Sequence, residues 1–277
     1  LKSFGNVVSR VTVTVVAIPI IVGLSYIGGW FFFSLVSAIT ILSLYEFYKL
    51  AEKKSYFPNY FLGLLFSAAV LTLFFYKRSD LLFYLIFVFI SISAIIELFK
   101  KENNSIVNLG VTIFGAIFIG LFFSTLIGIR EFFGSYGTAE YSKGGYIIVT
   151  IFATIWICDS SAYFGGTAIG KRRLLERISP KKSWEGAIFG FVFAILTVIA
   201  AKYLILSFLS WFDVLYIGII VGLIGQIGDL IESMIKRDAG VKDSSNLIPG
   251  HGGVYDRFDS LLFVSPFIYF YLIYVYS

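Results

Sequence analysis

The chain has 277 residues, 58% of them hydrophobic and 14% charged, with a mean hydropathy of +0.88. A soluble domain sits nearer half apolar and a quarter charged, so this composition excludes an ordinary soluble domain and points to a polytopic membrane protein. The net charge of +5 reads as membrane topology rather than nucleic-acid affinity, and the single cysteine, Cys158, excludes an intramolecular disulfide.

A membrane-spanning helix needs roughly 20 mainly apolar residues. Runs of this kind fall at about 11–27, 30–50, 61–76, 81–99, 106–129, 146–166, 187–208, 214–235 and 260–276, which predicts about nine spans. The runs are continuous rather than alternating, which favours helices over a β-barrel and gives an all-α fold. The first run lacks a clear small-residue cleavage site, and Gly28-Gly29 turns it straight into the second, so it reads as a retained helix. With the N-terminus in the cytoplasm, 17 of the 22 Lys and Arg residues fall inside, and Lys77, Arg78, Arg130, Lys143 and Lys202 fall outside. That bias supports the orientation.

Residues 1–140 then hold about five helices with little evident chemistry. Glu46 and Glu97 lie near cytoplasmic helix ends beside Lys49 and Lys100 and read as interfacial charges reaching water. Segment 131–145, with Gly134, Gly137, Gly144 and Gly145, reads as an external loop.

Residues 141–277 change character and form the expected catalytic region, with cytoplasmic loops at 167–186 and 236–259. Asp159, in Asp159-Ser-Ser-Ala-Tyr163, sits within a span, where a carboxylate normally faces the bundle interior or a wet cavity. Gly165 to Arg172 nearly spells a phosphate-binding G-x4-G-K-[ST] loop, but Arg172 stands where the hydroxyl is needed and the context is a helix. It therefore reads as a basic, glycine-rich turn. In Ser179-Pro-Lys181-Lys182-Ser-Trp-Glu-Gly186, the lysines suit an anionic headgroup or a nucleotide phosphate. Residues three and four apart share a helix face, so Asp229, Glu232, Ser233 and Lys236 form one polar stripe. Gly222, Gly225 and Gly228 allow close helix packing.

The stripe leads into the most polar stretch of the chain, from Ser233 to Asp259. Its Lys and Arg residues suit phosphate oxygens. Its aspartates suit Mg2+, which prefers oxygen ligands shared with substrate phosphates. The glycines Gly250, Gly252 and Gly253 let backbone N–H groups approach an anion. His251 has no companion His or Cys, so zinc is not expected. The spacing Ser233-x-Ile-Lys236-Arg237-x4-Lys242-Asp243-x-Ser-x2-Ile-Pro-x-His251-Gly252-Gly253-Val-x-Asp256-Arg257-Phe-Asp259 resembles the signature of the phosphatidate cytidylyltransferases (CDP-diacylglycerol synthases) without departure across its 27 positions. The Asp159 and Ser179–Gly186 stretches resemble further blocks of that family.

The resemblance implies transfer of CMP from CTP to phosphatidate, giving CDP-diacylglycerol and pyrophosphate. It implies Mg2+, with room for a second metal ion, held by Asp229 and Asp256, with Asp159, Asp243 and Asp259 as further candidates. Lys236, Arg237, Lys242 and Arg257 are expected at the triphosphate or pyrophosphate. Ser179, Lys181 and Lys182 are expected at the lipid phosphate, and Ser233, His251, Gly252 and Gly253 in support. The partners implied are CTP, phosphatidate in the cytoplasmic leaflet and membrane lipid, in the cytoplasmic (inner) membrane with the active site facing the cytoplasm. Nothing points to nucleic acid, and the sparse polar content of the first helices leaves room for a homodimer. A CTP-dependent enzyme with an isoprenoid ether lipid or polyprenol acceptor is an alternative. A transporter using Asp159 and Asp229 is another, but it leaves the charged loop unexplained.

Overall fold

The computed structural model describes residues 2–101, 104–138, 140–248 and 250–276, with side chains from residue 14 onward. Pro249 of the signature and the side chains of Lys2 and Arg10 lie outside the described residues. The helices in chain order are α1 (Lys2–Ile27), α2 (Gly29–Glu52), α3 (Tyr60–Phe75), α4 (Ser79–Leu98), α5 (Ser105–Tyr136), α6 (Tyr141–Ile169), α7 (Trp184–Leu204), α8 (Trp211–Asp238) and α9 (Tyr255–Tyr276). Among the described residues, all but α1 and α3 are long and apolar enough to cross a membrane; shorter apolar stretches run over Thr14–Ile27 and Tyr60–Phe75. This is an all-α polytopic membrane fold. A two-stranded antiparallel hairpin, β1 (Arg173–Leu175) and β2 (Ser179–Ser183), was not expected from the sequence.

The chain forms two compact units. The first comprises Leu1–Leu24, Gly28–Gly128 and Asp238–Phe258; the second comprises Ser25–Ile27, Ile129–Arg237 and Asp259–Ser277. In the first unit, Phe32, Val36, Leu44 and Tyr48 of α2 are buried with Phe66, Val70 and Leu71 of α3 and Ala116, Ile119 and Phe123 of α5. The Tyr48 hydroxyl donates to the Thr112 carbonyl at 2.8 Å. Gly63 and Gly115 give its ring room, since a Cβ at either would run into it.

The same unit corrects the reading of Glu97, which is 7% exposed rather than reaching water. It pairs with Lys100 at 3.1 Å and accepts from Asn108 Nδ2 at 3.3 Å. Asn108 Oδ1 in turn accepts from the Phe57 amide at 2.8 Å, and Lys100 donates to the Phe57 carbonyl. A buried carboxylate needs such partners, and here it sews the turn before α3 onto α5.

In the second unit, α6 packs closely on α7 because small residues line the seam. A Cβ on Gly190 would lie 3.0 Å from the Cys158 carbonyl, and one on Gly186 would lie 2.6 Å from the Ala162 carbonyl. A π-helical turn at Val221–Gly225 interrupts α8 where Gly222 meets Phe191 and Ala194. Segment 131–145 is mostly helical rather than an open loop. A 3-10 turn covers Phe132–Tyr136, and Gly144 and Gly145 sit buried at the start of α6. A Cβ on Gly145 would come within 3.2 Å of the Ser25 and Tyr26 backbone, so close packing explains the glycine.

Arg130, counted by sequence among the outside charges, is fully buried. Its guanidinium donates to the carbonyls of Ser25 and Tyr26 at 2.7 Å each and of Tyr141 at 3.1 Å. It serves as a C-terminal cap for α1, where a cation also suits the helix dipole.

Candidate functional site

The polar stripe of α8 forms as the helical spacing requires. Glu232, Ser233 and Lys236 are buried, and Asp229 is half-buried. Glu232 pairs with Lys236 at 2.7 Å, one turn on. Ser233 Oγ donates to Asp229 Oδ1 at 3.4 Å. The face bearing Gly225 and Gly228 lies against α9: a Cβ on Gly228 would stand 3.0 Å from the Asp259 carbonyl and 2.8 Å from the Phe263 ring. This close approach brings Asp259 to the stripe. Carboxylate oxygens of Asp229, Glu232 and Asp259 lie within 4.8 Å of one another.

The hairpin supplies positive charge to this group. Along β2 Lys181 is exposed and Lys182 half-buried, and the Lys182 ammonium donates to Asp229 Oδ2. The two lysines, expected to act together, thus stand in different surroundings. Asp159 of α6 is exposed. Ser179 is half-buried in β2, and Arg237 donates to the Ile178 carbonyl at 3.3 Å while staying exposed. The second unit therefore gathers Lys182, Asp229, Glu232, Ser233 and Asp259. The donor set around Asp229 is all oxygen and acidic, which fits a hard divalent cation such as Mg2+. Glu232 belongs to this group although the sequence reading placed it only on the stripe.

The first unit holds the rest of the signature. Gly240, at φ +72°, follows the end of α8 in the left-handed conformation that glycine accepts. Ile248 and Gly252 pair across a tight turn, with the Ile248 amide donating to the Gly252 carbonyl at 2.8 Å. Lys242, Asp243 and Arg257 are exposed, and His251 Nε2 lies 3.4 Å from Thr14 Oγ1.

Asp256, in the first turn of α9, accepts from the Ser244 amide at 3.0 Å and the Gly253 amide at 2.8 Å. The first N–H groups of a helix and the loop leading to it need such acceptors. α9 therefore begins earlier than the apolar run alone predicts.

Glu46 departs furthest from the sequence reading. It is 1% exposed, and Lys49, its expected neighbour in charge, pairs with Glu52 instead at 2.7 Å. The Glu46 carboxylate accepts from Ser244 Oγ at 2.8 Å, Ser245 Oγ at 2.6 Å, the Val254 amide at 3.0 Å and the Tyr255 amide at 2.8 Å. An acidic residue well inside an apolar helix was the available signal; the nearby lysine gave it a bland explanation. A Cβ on Gly253 would fall on Ser244 Oγ and within 2.5 Å of Glu46 Oε2, and Gly252 holds φ +86°. Both glycines are thus required by the packing of the loop.

Residues 8–275 match the profile of the family described as the cytidylyltransferase family. A phosphatidate cytidylyltransferase from Synechocystis sp. is 31% identical to the chain, over 95% of the chain and 96% of that protein. One from Bacillus subtilis is 40% identical over 62% of the chain and 61% of that protein, and one from Haemophilus influenzae is 41% identical over 54% and 55%. The family match runs across both compact units and takes in both the carboxylate group on α8 and the loop held by Glu46. The chain belongs to the cytidylyltransferase family.

Proposed function

We propose that the protein transfers CMP from CTP to phosphatidate, releasing pyrophosphate and leaving CDP-diacylglycerol in the membrane. The observation that carries the reading is the gathering of Asp229, Glu232 and Asp259 beside Lys182, with Asp259 closing the signature and Asp229 and Glu232 on the helix that leads into it. The names of the relatives support the same acceptor lipid.

Asp229 and Asp259 are the ligands we propose for Mg2+ in the second unit, with Glu232 tied to Lys236 as a charge-balanced support. In the first unit, Asp256 is proposed as a ligand; its two oxygens offer about four lone-pair directions, so its backbone contacts leave capacity for a cation. Bound Mg2+ would supply positive charge to the phosphate oxygens and to the departing pyrophosphate. Exposed Lys181, Arg237, Lys242 and Arg257 bind and orient the anionic groups of the two substrates. The phosphatidate phosphate carries about −1.5 to −2 charge near neutral pH if it titrates like other phosphate monoesters, so no side chain has to remove a proton from the nucleophile. Catalysis then rests on alignment and charge neutralisation.

The reading includes an inner-membrane location, a cytoplasmic N-terminus and phosphatidate drawn from the cytoplasmic leaflet, supported by the charge bias of the loops. The test is formation of labelled CDP-lipid and pyrophosphate by detergent-purified protein given CTP, phosphatidate and Mg2+. Product that needs all three and is lost with EDTA supports the reading. Product only with a polyprenol or isoprenoid ether acceptor replaces phosphatidate with that lipid. No turnover of CTP with any acceptor sinks the enzyme reading in favour of transport.

A further inference from the structure

The Glu46 carboxylate accepts four hydrogen bonds from the signature loop. It lies on α2, almost 200 residues earlier in the chain. Its four donors fall at two places: the hydroxyls of Ser244 and Ser245, and the amides of Val254 and Tyr255. These places bracket the turn that carries Ile248, His251 and Gly252. One carboxylate therefore closes the turn at its base. Asp256 ties the same two places from the other side, through the Ser244 and Gly253 amides. Ser244 is shared, giving its N–H to Asp256 and its hydroxyl to Glu46. The Asp256 side chain is thus fixed by backbone that Glu46 holds.

A buried ionised carboxylate is costly unless its oxygens are satisfied, and here they meet four donors. Two of the donors are N–H groups where α9 begins, where negative charge is favoured by the helix dipole. Glutamine would match the shape but not the chemistry, because each carboxylate oxygen meets one backbone N–H, from Val254 or Tyr255, and an NH2 placed there would face a donor that cannot accept. The two sites differ in kind: Glu97 also sits buried in this unit, but its partners are Lys100 and Asn108, away from the loop.

We propose that Glu46 is a positioning residue for cytidylyl transfer. On this view it acts by holding the loop from Lys242 to Asp256 in the arrangement that presents His251, Asp256 and Arg257, and it does not touch substrate itself. The proposal rests on the cytidylyltransferase reading for its kinetic part and on geometry alone for its structural part.

The experiment uses full-length protein in detergent, with Glu46→Gln, Glu46→Asp, the double variant Ser244→Ala/Ser245→Ala, and Glu97→Gln as the comparison. Two quantities are read: kcat and KM for each substrate, and the rate of tryptic cleavage after exposed Lys242 in folded protein. Glu46→Gln should lower kcat by ~10- to 100-fold, the scale of a misplaced reacting geometry, with KM for phosphatidate unchanged. It should also speed cleavage after Lys242 by about tenfold as the loop opens locally. Glu46→Asp should recover part of both losses, because it keeps the charge. Glu97→Gln should leave cleavage after Lys242 as in the wild type.

If Glu46→Gln matches the wild type within twofold in kcat and in cleavage, or if Glu97→Gln produces the same changes, the proposal is overturned. Should Glu46→Gln fail to fold, the serine double variant decides, since it removes two of the four donors and leaves the carboxylate. Faster cleavage with lower kcat there supports the proposal, and wild-type behaviour overturns it. Wild-type protein that makes no CDP-lipid would sink the reaction reading, while cleavage would still judge the clamp.

Discussion

Replacing Asp229 with asparagine tests the carboxylate group directly. The substitution removes one negative charge from the three carboxylates that lie within 4.8 Å of one another and leaves the Lys182 ammonium in place. Both partners of the Lys182–Asp229 pair keep about a third of their side-chain surface exposed. Its contribution to folding is therefore screened and amounts to about 1 kcal/mol or less. The variant should fold, extract and melt nearly as the wild type does. The catalytic loss should be far larger. Loss of one pre-organised stabilising group costs about 100- to 1,000-fold in kcat, or ~2.7–4 kcal/mol, and a metal ligand should stand at the upper end.

The assay is CDP-lipid formation across a Mg2+ titration, with Mn2+ binding measured separately by calorimetry. A second variant separates two roles for Asp229. If it only neutralises Lys182, then Asp229→Asn/Lys182→Met should regain activity. If it holds the cation, the double variant stays inactive and Mn2+ binds weakly in both. Asp229→Asn with more than a tenth of wild-type kcat and an unchanged Mg2+ dependence would refute the argument.

Three further outcomes follow from the geometry. Arg130→Met leaves the carbonyls of Ser25, Tyr26 and Tyr141 without their charged donor and should cost on the order of 3–5 kcal/mol; a melting temperature in detergent within one or two degrees of wild type would contradict it. Gly253→Ala forces the Cβ against buried Ser244 and Glu46, so kcat should fall by ~10-fold or more and the melting temperature should drop as well; full activity would show that the loop can shift freely. Lys49→Ala removes an exposed pair with Glu52 and should leave both kinetics and melting as in the wild type; a marked loss would mean that the pair has a role its exposure does not suggest.

The helical architecture was legible because continuous apolar runs admit little else in a membrane. The errors of detail share one cause: a local pattern was given its commonest meaning. Gly144 and Gly145 looked like loop glycines because they cluster with Gly134 and Gly137, but they mark a close helix contact. Arg130 looked like a topology charge because it ends an apolar run, but it is a buried cap. The hairpin at 173–183 escaped notice because its strands are short and basic, with none of the alternation that burial on one face imposes.

The candidate site was legible to the extent that it is local. Asp229, Glu232, Ser233 and Lys236 follow from a helical repeat, and the stripe is present as spaced. What no repeat encodes is a partner brought in by tertiary packing. Asp259 reaches Asp229 because Gly228 lets α9 approach, and Lys182 reaches it from a hairpin strand that no apolar pattern announces. Glu46 is the extreme case, since its donors lie some 200 residues away and include two backbone amides that carry no side-chain signature. The cost of burying an unpaired carboxylate supplies the missing inference. Glu46, well inside α2, and Glu97, near the end of α4, are both buried and so demand partners, and the question to ask of each is which donors meet it. For Glu97 they are a lysine and an asparagine close in sequence. For Glu46 they are the two ends of the signature turn, which is why a helix that seemed free of chemistry holds the chemical loop in place.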